Sequence, residues 1–330
     1  AILLRYALDR GAALAVIEAN IGLRDDPTSA FPAPRVQLLT PIDTDHAHLL
    51  RPPSPLPPVL EGLGERAGPT WHKAGGLRAG VACVVGAQRD DVDRAVRALA
   101  AQRGVDAVAW RGEAYDVVRR ECSLGGSDAT LRFGDERLDV HVRAPGAFQV
   151  DNAAQAAAAA WALIECGALP GTRATWRDAV KRGLAEATMP GRLEVIGTQP
   201  LTVLQVGASA VKMRAFVEAL TEIVLRGVKV VACASFLGRI HAAREPVAIL
   251  AHAPWLHALV ATACETSGDA ADLDADEVVS VARRERPELD ARAERDPDTA
   301  VALARSLAGD EGAVVIVGNG LGARRERFAR

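Results

Sequence analysis

Short apolar runs alternate with amphipathic helical stretches along most of this chain, and that rhythm restricts its fold more than any other feature. Runs at 13–18, 36–40, 81–86 and 107–110 are bounded by turn residues. Between them, segment 90–102 places Val92, Val96 and Leu99 on one helical face. Apolar strands separated by helices imply parallel sheets covered by helices on both sides. The rhythm restarts past residue 192, with strands at 202–205, 229–234, 258–262 and 313–317. Helices are expected there at 212–226, 246–252, 274–284 and 299–308. Pro190 and Gly191 break the pattern between the two halves. The expectation is an α/β protein with one domain over 1–188, a linker at 189–192 and a smaller domain over 193–330. A length of 330 residues suits two domains.

Some segments depart from the rhythm. Residues 129–142 alternate in period two around Gly134-Asp135-Glu136, the pattern of a β-hairpin. Helices are expected at 2–10, 151–166 and 176–187, and Gly167 is a stop signal for the second of them. The Pro-rich stretch 51–58 is expected as an extended surface loop.

Composition excludes several functions. The chain has 39 basic and 42 acidic side chains, a net charge of −3, so no global positive field exists to attract nucleic acid. No apolar run approaches the ~18 residues of a membrane span. The start does not read as a secretory signal, because Arg5 interrupts the apolar run, and a cytoplasmic location is expected. The five cysteines Cys83, Cys122, Cys166, Cys233 and Cys264 form no C-x-x-C pair, which speaks for reduced and mostly buried thiols.

Chemistry-bearing residues gather in a few places. Glu18 ends an expected buried strand, at the carboxyl end where open α/β sheets bind ligands. His46 and His48 follow the next strand. Glu18 and a histidine there either hold Mg²⁺ beside a phosphate or are a surface carboxylate and two solvated imidazoles. Lys73 precedes a Gly-Gly turn and is either a solvated helix-end charge or a partly buried functional amine. The run 317–327 is Gly-rich after a strand, but Gly318, Gly320 and Gly322 are spaced by two and miss the dinucleotide fingerprint. The arginines beyond it read as a solvated helix end. His252 and His257 read as surface or packing residues. Ser209 has no G-x-S-x-G elbow, so it is no hydrolase nucleophile. Residues 294–299, Glu-Arg-Asp-Pro-Asp-Thr, read as the capped entry to a helix.

Taken in order, these pieces resemble the folylpolyglutamate and dihydrofolate synthases of the Mur ligase superfamily. Glu18, Gly22, Arg24, Asp26 and Thr28 match that family's E-V-G-L-G-G-R-L-D-A-T-N stretch. The run from Thr40 through His46 to Leu50 resembles T-S-I-G-L-D-H-x-x-x-L, and His72 to Val81 resembles E-K-A-G-I-x-K-x-G-V. The run around Gln149 and Asn152 resembles L-x-G-x-H-Q-x-x-N-A-A-x-A, and Met189 to Ile196 matches the family's linker almost letter for letter. The resemblance implies a P-loop-type parallel-sheet domain followed by a smaller Rossmann-like domain, with the ligand cleft between them. It implies an ATP-dependent ligase that activates a small-molecule carboxylate as an acyl phosphate for attack by an amino acid. Glu18 and His46 would bind Mg²⁺, and Lys73 would be the carbamylated catalytic lysine. Asn152 would read the adenine of ATP, and Arg192 would reach its phosphates.

The departures fall on nucleotide and metal chemistry. No G-x-x-x-x-G-K-[ST] occurs in the 330 residues, and the chain begins with Ala1. The family's P-loop is therefore expected ahead of Ala1, on an opening segment not contained here. The family's D-G-A-H-N is here Val206-Gly207-Ala208-Ser209-Ala210. Phe148 stands for its histidine before Gln149, and His72 for its glutamate before the lysine. Two readings follow: a variant ligase, or a degenerate paralogue that acts as a binding or scaffold protein with a catalytic partner.

Overall fold

The computed structural model describes residues 2–30, 34–223, 227–238, 240–263, 273–318 and 320–329. By the density of its internal contacts the chain divides into two units, Ala1–Arg111 with Ala162–Pro170, and Gly112–Trp161 with Gly171–Arg330.

The first unit opens with helix α1 (Ile2–Asp9) and holds a three-stranded parallel sheet, β1 (Val36–Leu39), β2 (Ala82–Val85) and β3 (Val108–Trp110), in that order. Helix α2 (Ala67–Ala74) lies between β1 and β2 in sequence, and α3 (Asp90–Gln102) between β2 and β3. The apolar spacing of α3 buries Val92, Val96 and Leu99 against Leu39, Cys83 and Val85. Asp90, Asp91 and Asp93 occupy its first turn, where negative charge suits the helix dipole. The Pro-rich stretch 51–58 is irregular and mostly exposed, as its prolines require.

The expected strand at 13–18 does not form. Those residues form no regular element and no strand pairing, and Val16 is 91% exposed. An apolar run becomes a buried strand only where a neighbour pairs with its backbone and a layer covers its side chains. Among the described residues β1 pairs with β2 alone, so segment 13–18 has neither. Glu18, expected at the end of that strand, is exposed.

The second unit begins with an antiparallel meander, β4 (Tyr115–Ser123), β5 (Gly126–Phe133) and β6 (Glu136–Val142). The expected hairpin at 129–142 is its second half. The first strand was hidden by its charge run, Arg119-Arg120-Glu121, which is exposed. Helices α4 (Ala147–Glu165) and α5 (Arg173–Glu186) follow, α5 with a capping box between Thr172 and Thr175.

A six-stranded sheet completes the second unit in the order β11-β10-β9-β12-β8-β7. Its strands are β7 (Glu194–Thr198), β8 (Leu201–Val206), β9 (Val230–Ser235), β10 (Leu256–Ala261), β11 (Asp290–Ala293) and β12 (Ala313–Gly318). All pairings are parallel except β7 with β8. The central strands β9 and β12 are buried at every residue, which is why they read as unbroken apolar runs. Helices α6 (Ala210–Ile223), α7 (Ile240–Ala251) and α8 (Ala275–Glu285) pack with Val315 and Val317 on one face. Helix α9 (Pro297–Ala308) and the short α10 (Arg325–Phe328) pack with Val314 and Ile316 on the other.

The α/β class expected from the alternation is the class of this structure. Helix α7 starts six residues before the expected 246, with Pro246 in its interior, because burial of Val247 and Leu250 outweighs the missing N–H. Asp296 caps α9 by accepting from the Thr299 amide at 2.8 Å, as its sequence foretold. The expected linker 189–192 lies within the second unit. Arg120 of β4 pairs with Glu222 of α6 at 3.3 Å, which ties the meander to the larger sheet.

Candidate functional site

In the first unit, the loop carrying the Glu18-to-Thr28 motif is organised by one buried carboxylate. Asp26 is 7% exposed and accepts from the amides of Asn20, Ile21 and Thr28 at 2.8, 3.2 and 2.9 Å. Its fourth donor is the Thr28 hydroxyl, at 2.7 Å. Burial opposes its charge, but these donors together hold the carboxyl below the usual carboxylate range. The loop leans on α2: Leu23 and Arg24 donate their amides to the His72 carbonyl at 3.0 and 2.8 Å. The Arg24 guanidinium lies 4.0 Å over the Trp71 ring.

His72 ties three segments together. Its Nδ1 is 3.1 Å from an Asp25 carboxylate oxygen, and its Nε2 is 2.9 Å from the Arg51 carbonyl. Lys73 follows it in the last turn of α2 and is half-buried. His46 has a left-handed backbone, φ 61°, which is rare outside glycine and costly unless the surroundings fix it. Its carbonyl accepts from the Leu49 and Leu50 amides, both at 2.9 Å, which holds the turn after β1. Its ring lies 4.0 Å from Asp45 and 6.5 Å, centroid to centroid, from His48.

Among the described residues no group of three or more His, Cys, Asp or Glu is arranged to hold a metal. Glu18 is exposed on irregular chain, and His46 stands in the turn after β1.

The second unit supplies a crevice by topology. Parallel neighbours β8 and β12 lead to helices on opposite faces of the sheet, α6 after β8 and α10 after β12. At such a switch point the chain opens a cleft at the carboxyl ends of the strands. Gly318, φ 130°, ends β12 so close to β9 that an added Cβ would lie 1.9 Å from the Ser235 carbonyl oxygen. Gly207, φ 92°, follows β8, and a Cβ there would lie 3.2 Å from Lys212 Cδ and 3.3 Å from the Arg192 guanidinium. Both cations thus flank the same bare backbone. Among the described residues the Ser209 hydroxyl is buried without a hydrogen-bond partner.

Arg192 is held where it stands by a chain of contacts. It donates to the Val206 carbonyl, and the Val206 amide donates to Gly191 at 2.7 Å. The Gly191 amide donates to Glu194 at 2.8 Å, and Glu194 takes a two-pronged grip from Arg325 of α10. The Arg325 guanidinium, against the opposing effect of burial and with help from the Gly191 amide, holds the Glu194 carboxyl below the usual range. A cavity of about 290 Å³ adjoins this chain, lined by Pro190, Gly191, Val206, Gly320 and Arg325 among others. Asn152, on α4, is exposed and donates to the Gln149 side chain at 3.2 Å.

A dihydrofolate synthase/folylpolyglutamate synthase of Mycobacterium tuberculosis is 33% identical over 191 residues, 57% of this chain and 36% of that protein. The folylpolyglutamate synthase of the same organism, solved with ADP and AMPPCP, matches 98% of this chain and 70% of its own, with TM-score 0.74 and 24% identity. The chain shares its fold with solved folylpolyglutamate synthases, and over 191 residues its sequence is similar to a dihydrofolate synthase/folylpolyglutamate synthase. A complex of such a synthase with AMPPCP and folate also matches 98% of this chain and 68% of its own, with TM-score 0.70 and 22% identity. No family model matches the chain. The chain spans little more than a third of the length of the curated synthase it matches.

Sequence alone missed Glu194 and Arg325 as a unit, although both lie in segments that drew attention. Glu194 sits in the linker run that resembles the synthases. Arg325 belongs to the arginine cluster read as a solvated helix end; instead it pairs with Glu194, while Arg324 and Arg327 pair with Asp298 at 2.9 Å each. His257, read as a surface or packing residue, accepts from the Val230 amide at 3.1 Å, beside the register shift between β9 and β10.

Proposed function

We propose that this chain is the nucleotide-handling part of an ATP-dependent acid–amino-acid ligase of the folylpolyglutamate synthase type. The observation that carries the reading is the β8–β12 switch point, where Arg192 and Lys212 flank Gly207. It occurs in a fold whose solved relatives were captured with ADP and AMPPCP.

In this reading a carboxylate oxygen of the acceptor attacks the γ-phosphorus of ATP, the bond to the bridging oxygen breaks, and ADP leaves. The amine of the amino acid then attacks the acyl carbon, an amide forms and phosphate departs. Such transfers are mostly positioning and charge neutralisation. The planar fork of Arg192 suits phosphate oxygens, and the exposed amide of Asn152 suits the edge of an adenine. Lys73, as a carbamate on Nζ, would present an anion in place of its cation. Mg²⁺, borne by the triphosphate, would neutralise charge near Glu18 and His46. The acceptor would be a folate-like or other small carboxylic acid, and the setting the cytoplasm.

A second reading, a non-catalytic binding or scaffold paralogue, draws on Val206 and Ser209, which stand where the resembling family has Asp and His. Calorimetry with ATP and Mg²⁺, followed by a phosphate-release assay with a folate acceptor and glutamate, separates the two. Binding with release supports the ligase. Binding without release favours the paralogue, and no binding at all rejects the nucleotide assignment. Intact mass showing one added CO₂ on the Lys73 peptide would support the carbamate.

A further inference from the structure

We propose that Arg325 and Glu194 are positioning residues that act through Arg192. This rests on the proposed function only in taking Arg192 to meet the nucleotide phosphates. Arg192 carries no ion pair among the described contacts; its guanidinium is aimed by backbone, through the Val206 carbonyl. That backbone is aimed in turn: Val206 also donates its amide to Gly191, so residues 191 and 192 grip the end of β8 by its N–H and its C=O. Gly191 has φ 70°, and an added Cβ would lie 2.5 Å from Val206 Cγ2, so the linker lies flat on the strand end. Two side chains hold the chain in that pose: Glu194 accepts from the Gly191 amide, and Gln205 accepts from the Leu193 amide at 3.1 Å while donating to the Val206 carbonyl at 3.2 Å.

Glu194 is itself fixed from a distant part of the sequence. Arg325 Nε lies 2.8 Å from both of its carboxylate oxygens, and the Arg325 Nη2 adds a further contact to one of them. A guanidinium meeting a carboxylate side-on fixes distance and rotation together. The Glu194 side chain is 18% exposed and that of Arg325 45%, so the carboxylate is partly shielded while the guanidinium meets it from the solvent side. Arg325 follows the turn at Gly320–Arg324 that leads from β12, the other strand of the switch point. Both walls of the crevice therefore meet at this pair: the linker before β7 on one side and the exit of β12 on the other. Loosening it would release Arg192 without touching any atom of a ligand.

The test is a double-mutant cycle read by ATP·Mg²⁺ affinity, with amide hydrogen exchange at residues 190–193 as the second readout. Arg325→Ala and Glu194→Gln are each expected to weaken ATP about three- to tenfold and to raise exchange at those amides. Arg325→Lys, which keeps the charge but loses the fork, is expected to fall between wild type and Arg325→Ala. In an Arg192→Ala background, Arg325→Ala is expected to cause no further loss of affinity. A merely structural role would lower the melting temperature and leave the affinity of the folded protein unchanged. Wild-type affinity in Arg325→Ala, unchanged exchange at 190–193, or full additivity with Arg192→Ala would each overturn the assignment. Wild-type protein that binds no ATP would remove the nucleotide reading and this inference with it. Loss of affinity in Arg192→Ala but not in Arg325→Ala would remove this inference alone.

Discussion

The Asp26 carboxylate holds Thr28 twice, by its amide at 2.9 Å and by its hydroxyl at 2.7 Å. Together with the amides of Asn20 and Ile21, this makes one buried anion the organiser of a loop that runs irregularly into a single 3-10 turn at Pro27–Ala30.

Removing that anion should unfasten the loop. Asp26→Ala leaves three amides without their acceptor, and about 2–4 kcal/mol of stability should be lost. Asp26→Asn, which keeps one acceptor oxygen, should lose less. Thermal melts of the two variants check the order, and equal melting temperatures would contradict it.

The same carboxyl sets an acid limit. Its pKa is lower in the folded chain than in the unfolded one, so the unfolded state takes up the proton first as pH falls. The stabilisation is present above about pH 4 and is lost as pH drops through the folded value. Urea titrations between pH 7 and pH 3 should show wild type losing stability on the acid side more steeply than Asp26→Asn.

Gly318 of β12 pairs with Ser235 of β9. Because a Cβ there would sit 1.9 Å from the Ser235 carbonyl oxygen, at a φ of 130° that side chains avoid, Gly318→Ala should cost more than about 3 kcal/mol. Gly134, φ 60° with open space around it, is the control: Gly134→Ala should cost only about 1 kcal/mol. Denaturant melts of both variants compare them directly.

Trp176 anchors the meander to its helices. It is 2% exposed, donates its indole N–H to the Ala157 carbonyl at 3.0 Å and meets Phe133 edge-on at 4.8 Å. Arg173 lies 4.2 Å over its ring. Trp176→Ala should cost about 3–5 kcal/mol, and Arg173→Ala about 1 kcal/mol through its lost cation–π contacts. Equal effects of the two in equilibrium unfolding would contradict this.

Thiol labelling should follow burial. Cys166 is exposed and Cys122 half-buried, whereas Cys83 and Cys233 are buried with their thiols pushed up to about 12 by desolvation. The expectation of mostly buried thiols thus holds for Cys83 and Cys233 but not for Cys166, while Cys264 lies outside the described residues. Peptide mass spectrometry after brief alkylation should find Cys166 modified first, with Cys83 and Cys233 modified only on unfolding. Early modification of Cys233 would count against the buried β9.

Elements whose pattern is local were legible in the order of the amino acids. Val92, Val96 and Leu99 announced α3, the runs that became β9 and β12 announced a buried parallel sheet, and the family resemblance lay in contiguous motifs. Features that depend on partners far along the chain emerged only on folding. Residues 13–18 have the composition of a strand but form none, because pairing needs a neighbour that composition cannot supply. Strand β11 forms from the polar run Asp-Ala-Arg-Ala only because β10 offers it an edge. Glu194 and Arg325 stand 131 residues apart, and nothing local in either segment encodes their meeting. Hydrophobic periodicity is a property of neighbours in sequence, whereas a hydrogen bond between side chains exists only once the backbone has brought both ends within about 3 Å.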